Sequence, residues 1–422
     1  MNIYALLTPI AIVFILIEIA ACFLFKRKYI HFQEAIANFG TALGNQTTNL
    51  LVAAGVYSIY GWLHHNYRIA GHIEMNPLNF ILLLLGVDFI FYWVHRWGHE
   101  MKIMWAAHSP HHSAEEMNFF VALRASVTQR LFSFFFFWPL TIIGFTPFDI
   151  YTMTALHLFI SFLHHTEFIP KLWKPIEFIF TTPSHHRVHH GVNYRYLDKN
   201  YGEFLIIWDR MFGTFAEEKE KVVYGMYSHP QSFNPIKINF HYYQIIFSDM
   251  LKVRGLWNKL RIWFMPLSWS PDGAKPLPPE ITEQNQRRYE SVMFVGGKAY
   301  LVVHAILTAA LMLLVISPKS PLSYEMKWVG AALLWHSIIN WSGILESKRW
   351  LIWSEGLRLT GTCAFLLHVA YYEVTIPVIA GTAVAVLSFG WALRFFRPDS
   401  RTAGTWAGRG TEKAESRPLR PL

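Results

Sequence analysis

Cysteine is almost absent from the chain: Cys22 and Cys363 are the only two, and both lie inside apolar runs. Neither a disulfide framework nor a thiolate metal site can be built from them. Charge is scarce too. Asp, Glu, Lys and Arg make up 15% of the 422 residues, against roughly a quarter in soluble domains, while apolar residues reach 53% and aromatics 17%. This balance excludes a string of soluble domains and marks a membrane protein. The formal charge of +9 does not make a nucleic-acid surface, because the basic residues sit beside hydrophobic spans and form no aromatic-spaced basic face. No nucleic-acid partner is expected; an anionic lipid surface is.

Histidine is what the chain concentrates. Residues 95–112 read HRWGHEMKIMWAAHSPHH and hold five His, and residues 182–193 read TPSHHRVHHGVN and hold four more. On a helix, His95 and His99 share one face at i,i+4, and His108, His111 and His112 do so at i, i+3 and i+4. Imidazole ligates borderline metals through a neutral ring nitrogen, so the pattern is that of metal ligands. With His186, His189 and His190, and one His from SFLHHTEF (His164 or His165), about nine imidazoles could converge. Nine exceeds the needs of one ion, and two metals sharing them is the economical reading. Ligand softness permits Zn, Cu, Fe or Ni. Glu100, Glu115 and Asn118 stand beside the motifs and are candidate catalytic residues that could orient imidazole N–H groups. Asp and Glu are missing among the candidate ligands themselves, which turns the reading from two-metal hydrolysis toward oxygen chemistry. The isolated span residues His157, His304, His336 and His368 read as satisfied core polar groups or pathway residues instead of ligands.

Nine apolar runs are long enough for membrane spans: 4–25, 48–63, 78–94, 131–145, 148–163, 299–316, 328–345, 357–371 and 375–396. The first lacks the flanks of a signal peptide and is expected to stay as a span. Placing Lys26, Arg27 and Lys28 in the cytoplasm brings both His clusters to the cytoplasmic face. The expected fold is therefore all-α, a polytopic helical bundle capped by a His-rich di-metal site. Residues 1–77 form the N-terminal spans, 78–241 the His-box domain, 242–298 an interfacial and linker region, 299–396 the C-terminal spans and 397–422 a disordered tail. The C-terminal spans are expected to help enclose a lipid tail. Aromatics mixed with cations over 236–265 suit a helix in the membrane interface or one packed on the cap.

HRWGH, HSPHH and HHRVHH resemble the three His boxes of the membrane fatty acid hydroxylase and sterol desaturase superfamily. Within it, TPSHHRVHHGVN followed by LDKNYGEFLIIWDRMFGTF is similar to the alkylglycerol monooxygenase group. The resemblance implies two Fe ions with O2 as co-substrate, held by His95, His99, His108, His111, His112, His186, His189 and His190, with His165 the extra ligand. It also implies hydroxylation of the ether-adjacent carbon of an alkylglycerol, release of a fatty aldehyde and tetrahydrobiopterin as electron donor. A sterol, carotenoid or fatty acyl hydroxylase or desaturase with the same di-iron site is the alternative. The implied location is the endoplasmic reticulum membrane in a eukaryote or the inner membrane in a bacterium.

Overall fold

The computed structural model describes residues 3–71, 73–294, 296–317, 319–372 and 376–395; the expected tail falls outside them. The described residues are helical without a strand, and three isolated bridges, such as Met101 to Pro266, are their β-type pairings. Three segments, Leu6–Leu24, Pro77–Glu100 and Gly297–Ile316, are long and apolar enough to cross a membrane. That length and composition mark a membrane protein.

Helix α1, Ile3–Leu24, carries one carboxyl in an otherwise apolar run. Glu18 is buried and accepts from the Phe119 amide and the Thr166 hydroxyl, both at 2.7 Å, tying α1 to the site. The expected second span is part of a longer helix, α2, Phe32–Tyr67. Helix α3, Pro77–Glu100, starts with Pro77 in its first turn and Asn76 as cap, accepting from the Asn79 amide at 2.9 Å. It delivers His95 and His99 on its last two turns. Met101 is extended, and the Lys102 amide bonds to the Met265 carbonyl at 3.0 Å instead of continuing the helix. Helix α4, Lys102–His112, then restarts with a new axis. The His95–His112 stretch is therefore two helices, and the break lets their His faces meet.

The stretch 131–145 is two short helices, Gln129–Phe135 and Trp138–Ile143, instead of one continuous span. Pro139 lacks the amide a through-running helix would need and disfavours helical geometry just before it. The stretch still runs from the His site, where Gln129 meets His108, to the loop after α2, where Ile69 bonds to the Ile142 carbonyl at 2.7 Å. Gly144 has φ +132°, and a Cβ there would lie 2.9 Å from the Gly71 carbonyl, so the turn requires glycine. Thr146 and Asp149 form a capping box with Pro147 in the first turn, starting α5, Pro147–His164.

A short helix and a longer one follow: α6, Pro183–His189, carries the second His cluster, and α7, Pro235–Lys252, packs across α4. Ile246 of α7 packs with Ala106 and Ile262, while Phe247, Leu251 and Trp257 stay exposed; this segment has both a packed and an apolar open face. Helices α8, Gly297–Ile316, α9, Tyr324–Leu345, α10, Leu351–Tyr372, and α11, Ile376–Phe395, complete the fold. They join α2 through a core that includes Leu43, Leu301, Leu334, Ile338 and Trp341.

Candidate metal centre

Nine imidazoles converge in two groups. One nitrogen from each of His95, His99, His108, His112 and His189 lies within 4.8 Å of the others, and so do nitrogens of His111, His165, His186 and His190. The Nε2 atoms face inward: His95 and His108 are 3.1 Å apart, His108 and His112 3.0 Å, and His112 and His189 3.1 Å. In the second group His165 lies 3.2 Å from His111 and 3.0 Å from His186, which is 3.1 Å from His190.

The outward nitrogens show that the contact between His111 and His165 is not an ordinary hydrogen bond. His165 donates Nδ1–H to the Ser161 carbonyl at 2.9 Å, and His111 donates to the Arg124 carbonyl at 3.2 Å. A neutral imidazole has one N–H, so both inward Nε2 atoms present lone pairs to each other. His95 donates to the Tyr201 carbonyl at 2.8 Å and His189 to the Lys199 carbonyl at 3.1 Å, fixing the same tautomer. His99 Nε2 is buried with no partner. Burial also pushes His108, His112, His186, His189 and His190 well below the usual imidazole range, and His111 down to about 4. These six rings are therefore neutral near pH 7. Facing lone pairs in a dry interior repel unless a cation lies between them, so the donor set fits transition-metal ions, iron among them.

The rings are oriented by backbone carbonyls, and buried charged side chains hold the segments that present several of them. Asp209 accepts from the Tyr201 and Gly202 amides at 2.8 and 2.7 Å, aiming the turn that presents the Tyr201 carbonyl to His95. A Cβ on Gly202 would stand 2.6 Å from the Leu205 carbonyl. Asp88, fully buried on α3, accepts from the Phe204 and Leu205 amides at 3.0 and 3.1 Å, from Trp208 Nε1 at 2.8 Å and from His157 at 2.7 Å. Sequence reasoning missed Asp88; a lone carboxylate inside an apolar span was the available signal. Arg124, also fully buried, pairs with Glu34 and with Asn38 at 3.0 Å, fixing the carbonyl that meets His111.

The carboxamide and carboxylates expected beside the motifs lie close by, with bonds elsewhere. Glu100 pairs with Arg96 at 2.8 Å. Glu115 accepts from the Tyr289 amide at 2.7 Å. Asn118 caps the short helix Phe119–Ala122 and donates to the Tyr29 carbonyl at 2.7 Å and Glu116 at 2.9 Å. His164 belongs to neither group but lies within 4.8 Å of His186 and Glu203, a third set of potential ligands that shares His186. His185 neighbours Glu177 at 3.8 Å. His157, His304 and His336 are paired with Asp88, Ser388 and Ser354.

Two cavities reach the rings. One, about 260 Å³, is walled by apolar residues such as Phe132, Phe137, Leu158 and Phe159 and ends on His95, His108, His111 and His165. Among the described residues its walls come from Leu7 to Glu203, none of them in α8 to α11, which surround a separate cavity of about 500 Å³. Among the described residues, the C-terminal helices thus back α2 and do not line the cavity at the rings. The other, about 650 Å³, opens on the cap side past His99, His112, His189 and His190, with Glu100, Lys102, Asp249 and Lys275.

A buried double His site on helices, fed by an apolar cavity, has the form of a membrane lipid oxygenase, and residues 80–214 match the fatty acid hydroxylase family model. The chain is 38% identical over 316 residues to alkylglycerol monooxygenase of Homo sapiens, an alignment covering 72% of this chain and 68% of that protein. It is 36% identical over 276 residues to that of Xenopus tropicalis (64% and 60%) and 38% over 267 residues to that of Danio rerio (63% and 59%). The chain belongs to the alkylglycerol monooxygenase family. It spans about two thirds of the human relative's length and about three fifths of the other two. No solved structure matches.

Proposed function

We propose that this protein is a di-iron membrane monooxygenase that hydroxylates the ether-adjacent carbon of alkylglycerols. The observation carrying this reading is the pair of imidazole groups at the end of an apolar cavity, with His111 and His165 facing lone pair to lone pair. His95, His99, His108, His112 and His189 would hold one iron, and His111, His165, His186 and His190 the other. Two irons bound there would supply the activation of dioxygen, with tetrahydrobiopterin as the proposed source of electrons.

The chain's own residues do the rest. Backbone carbonyls hold four rings in the ligating tautomer. Phe132, Phe137 and Phe159 exclude water and guide an alkyl chain so that one carbon stops at the rings. A hydroxyl on a carbon already bonded to an ether oxygen gives a hemiacetal. Its hydroxyl proton leaves, the bond to the glycerol oxygen breaks as that oxygen is protonated, and a fatty aldehyde and glycerol part. Glu100, at the rim of the cap-side cavity, is proposed to serve the site directly. Glu115 and Asn118 are proposed to support it by holding the chain that follows His112.

The same reading takes the protein through the membrane nine times with the His site cytoplasmic, residues 78–241 as the catalytic domain and 242–298 as an interfacial link. The membrane would be the endoplasmic reticulum in a eukaryote or the inner membrane in a bacterium. The test is metal analysis of detergent-purified protein and of His189→Ala, with aldehyde release from an alkylglycerol measured with and without tetrahydrobiopterin. Near two irons per chain, falling sharply in the variant, with pterin-dependent aldehyde release, is the expected result. No transition metal after reconstitution with ferrous iron would overturn the reading. Iron with oxidation of a sterol, carotenoid or acyl chain but no aldehyde from the ether would move the substrate to that class.

A further inference from the structure

Glu203 lies on the wall of the apolar cavity and is the one acidic residue among those described there. It is 4% exposed. Its Oε1 stands 3.6 Å from His95 Nδ1, too far for a hydrogen bond to a ring already bonded to the Tyr201 carbonyl. Its Oε2 is buried with no partner. The main chain on either side is fixed: Asp209 holds Gly202 and Asp88 holds Phe204. The Ser161 side chain bonds to the carboxyl, and Oε2 is held beside the rings with unused hydrogen-bonding capacity, a state that is unfavourable until something fills it.

The placement of the reacting carbon says what can fill it. An ether-adjacent carbon stopped at His95, His108, His111 and His165 puts the ether oxygen and the glycerol carbons within a few bonds of the same rings. The alkyl chain then runs toward Leu158 and Phe159. A glycerol hydroxyl brought into this apolar space needs an acceptor, and Glu203 offers one next to a ring at the cavity's end.

Resting on the ether-lipid reading, we propose that Glu203 accepts a hydrogen bond from a glycerol hydroxyl and thereby selects alkylglycerols whose hydroxyls are free. It is a specificity-determining residue of the substrate cavity. A site built to bond a hydroxyl rejects the analogue lacking it far more strongly than an apolar pocket distinguishes chain lengths.

The test uses the iron-loaded protein in detergent under nitrogen, so that binding is read without turnover. Its probes are hexadecylglycerol and the same ether lipid with both hydroxyls methylated. The wild type should bind the free diol roughly tenfold or more tighter than the methylated analogue. Glu203→Met should bring the two affinities together by weakening the diol alone, with iron content unchanged, and Glu203→Gln, which keeps an acceptor, should restore part of the preference. Equal weakening of both lipids, or loss of iron in Glu203→Met, would overturn the inference and give Glu203 a role in the metal centre. Loss of the preference in Asn45→Ala but not in Glu203→Met would transfer it to Asn45, the other wall residue with an unpartnered oxygen. Failure of the wild type to bind either ether lipid would overturn the ether-lipid reading itself, whereas binding with no hydroxyl preference would overturn only the role of Glu203.

Discussion

Two of the polar clusters buried among the described residues are built in opposite ways. Among the C-terminal helices, Arg358 bonds through Nε to Glu355 at 2.8 Å and through Nη2 to Glu355 at 2.5 Å and His304 at 3.1 Å. Glu355 also takes the hydroxyl of Tyr300 and Nδ2 of Asn340, the latter at 2.8 Å. Positive meets negative and donor meets acceptor, so this cluster is complete as a protein structure. In the His site acceptor faces acceptor: His111 and His165 point lone pairs at each other, and His99 Nε2 has no partner. Both clusters are polar and buried, and incompleteness is what separates a binding centre from a structural knot.

The sharpest way to break the contrast is to remove one ring from each side of an ambiguous pair. His165→Ala deletes a member of the second group, whereas His164→Ala deletes a ring outside the nine. Iron per chain should fall from near two toward one in His165→Ala, with activity down at least 100-fold, in line with roughly 3 kcal/mol or more of lost transition-state stabilisation. His164→Ala should keep its iron. Metal analysis of both variants decides it, and the reverse pattern would exchange the two residues.

Much of this site was legible before any fold was known, and the reason is geometric. Spacings of three and four residues place His on one helical face whatever the tertiary structure, so the clustering of the eight box histidines followed from local sequence, whereas their division into two groups, with His111 apart from His108 and His112, did not. The choice between His164 and His165 did not, because adjacent residues at a helix end point apart in a way only the termination fixes; His165 is the C-cap of α5. The break at Met101 carries no proline or glycine and depends on a bond to Met265, far along the chain. The groups that orient the rings are main-chain carbonyls of Arg124, Ser161, Lys199 and Tyr201, and a carbonyl is present at every position, so no side-chain pattern could reveal them. The interruption in 131–145 was readable at Pro139, but the apolar run around it masked the signal.

The complete cluster should respond as a structural element. Arg358→Met leaves Glu355 buried without its countercharge and should lower stability by about 3–5 kcal/mol. Thermal unfolding in detergent would register this, while iron per folded chain stays at the wild-type value. Loss of iron from protein that remains folded would show that the two clusters are coupled and that the contrast between them is too simple.

Asp88 belongs to both categories, since it is a fully satisfied buried carboxylate whose partners position the His site. Asp88→Asn should remove charge-assisted bonds to Phe204, Leu205, Trp208 and His157 and cost about 1.5–3 kcal/mol. Unlike Arg358→Met, it should also weaken iron retention, because the loop it anchors carries the Tyr201 carbonyl that fixes His95. A chelator challenge comparing the two variants at matched temperatures below their melting points separates these effects: faster iron loss is expected only in Asp88→Asn.

The smallest change in stability is expected at Glu100, and it tests the boundary of the incomplete cluster. Its side chain is 44% exposed and its partner Arg96 lies one turn back on α3, so an i,i+4 surface pair of this kind contributes less than about 1 kcal/mol. Glu100→Gln should therefore melt close to the wild type and keep both irons. Any loss of turnover then has to arise from what Glu100 does at the rim of the cap-side cavity, where it lies with His99 and His112. Aldehyde release reduced at least tenfold in a protein with unchanged melting and metal content would extend the functional centre to that rim. Wild-type turnover would confine it to the imidazoles and the apolar cavity on their other side.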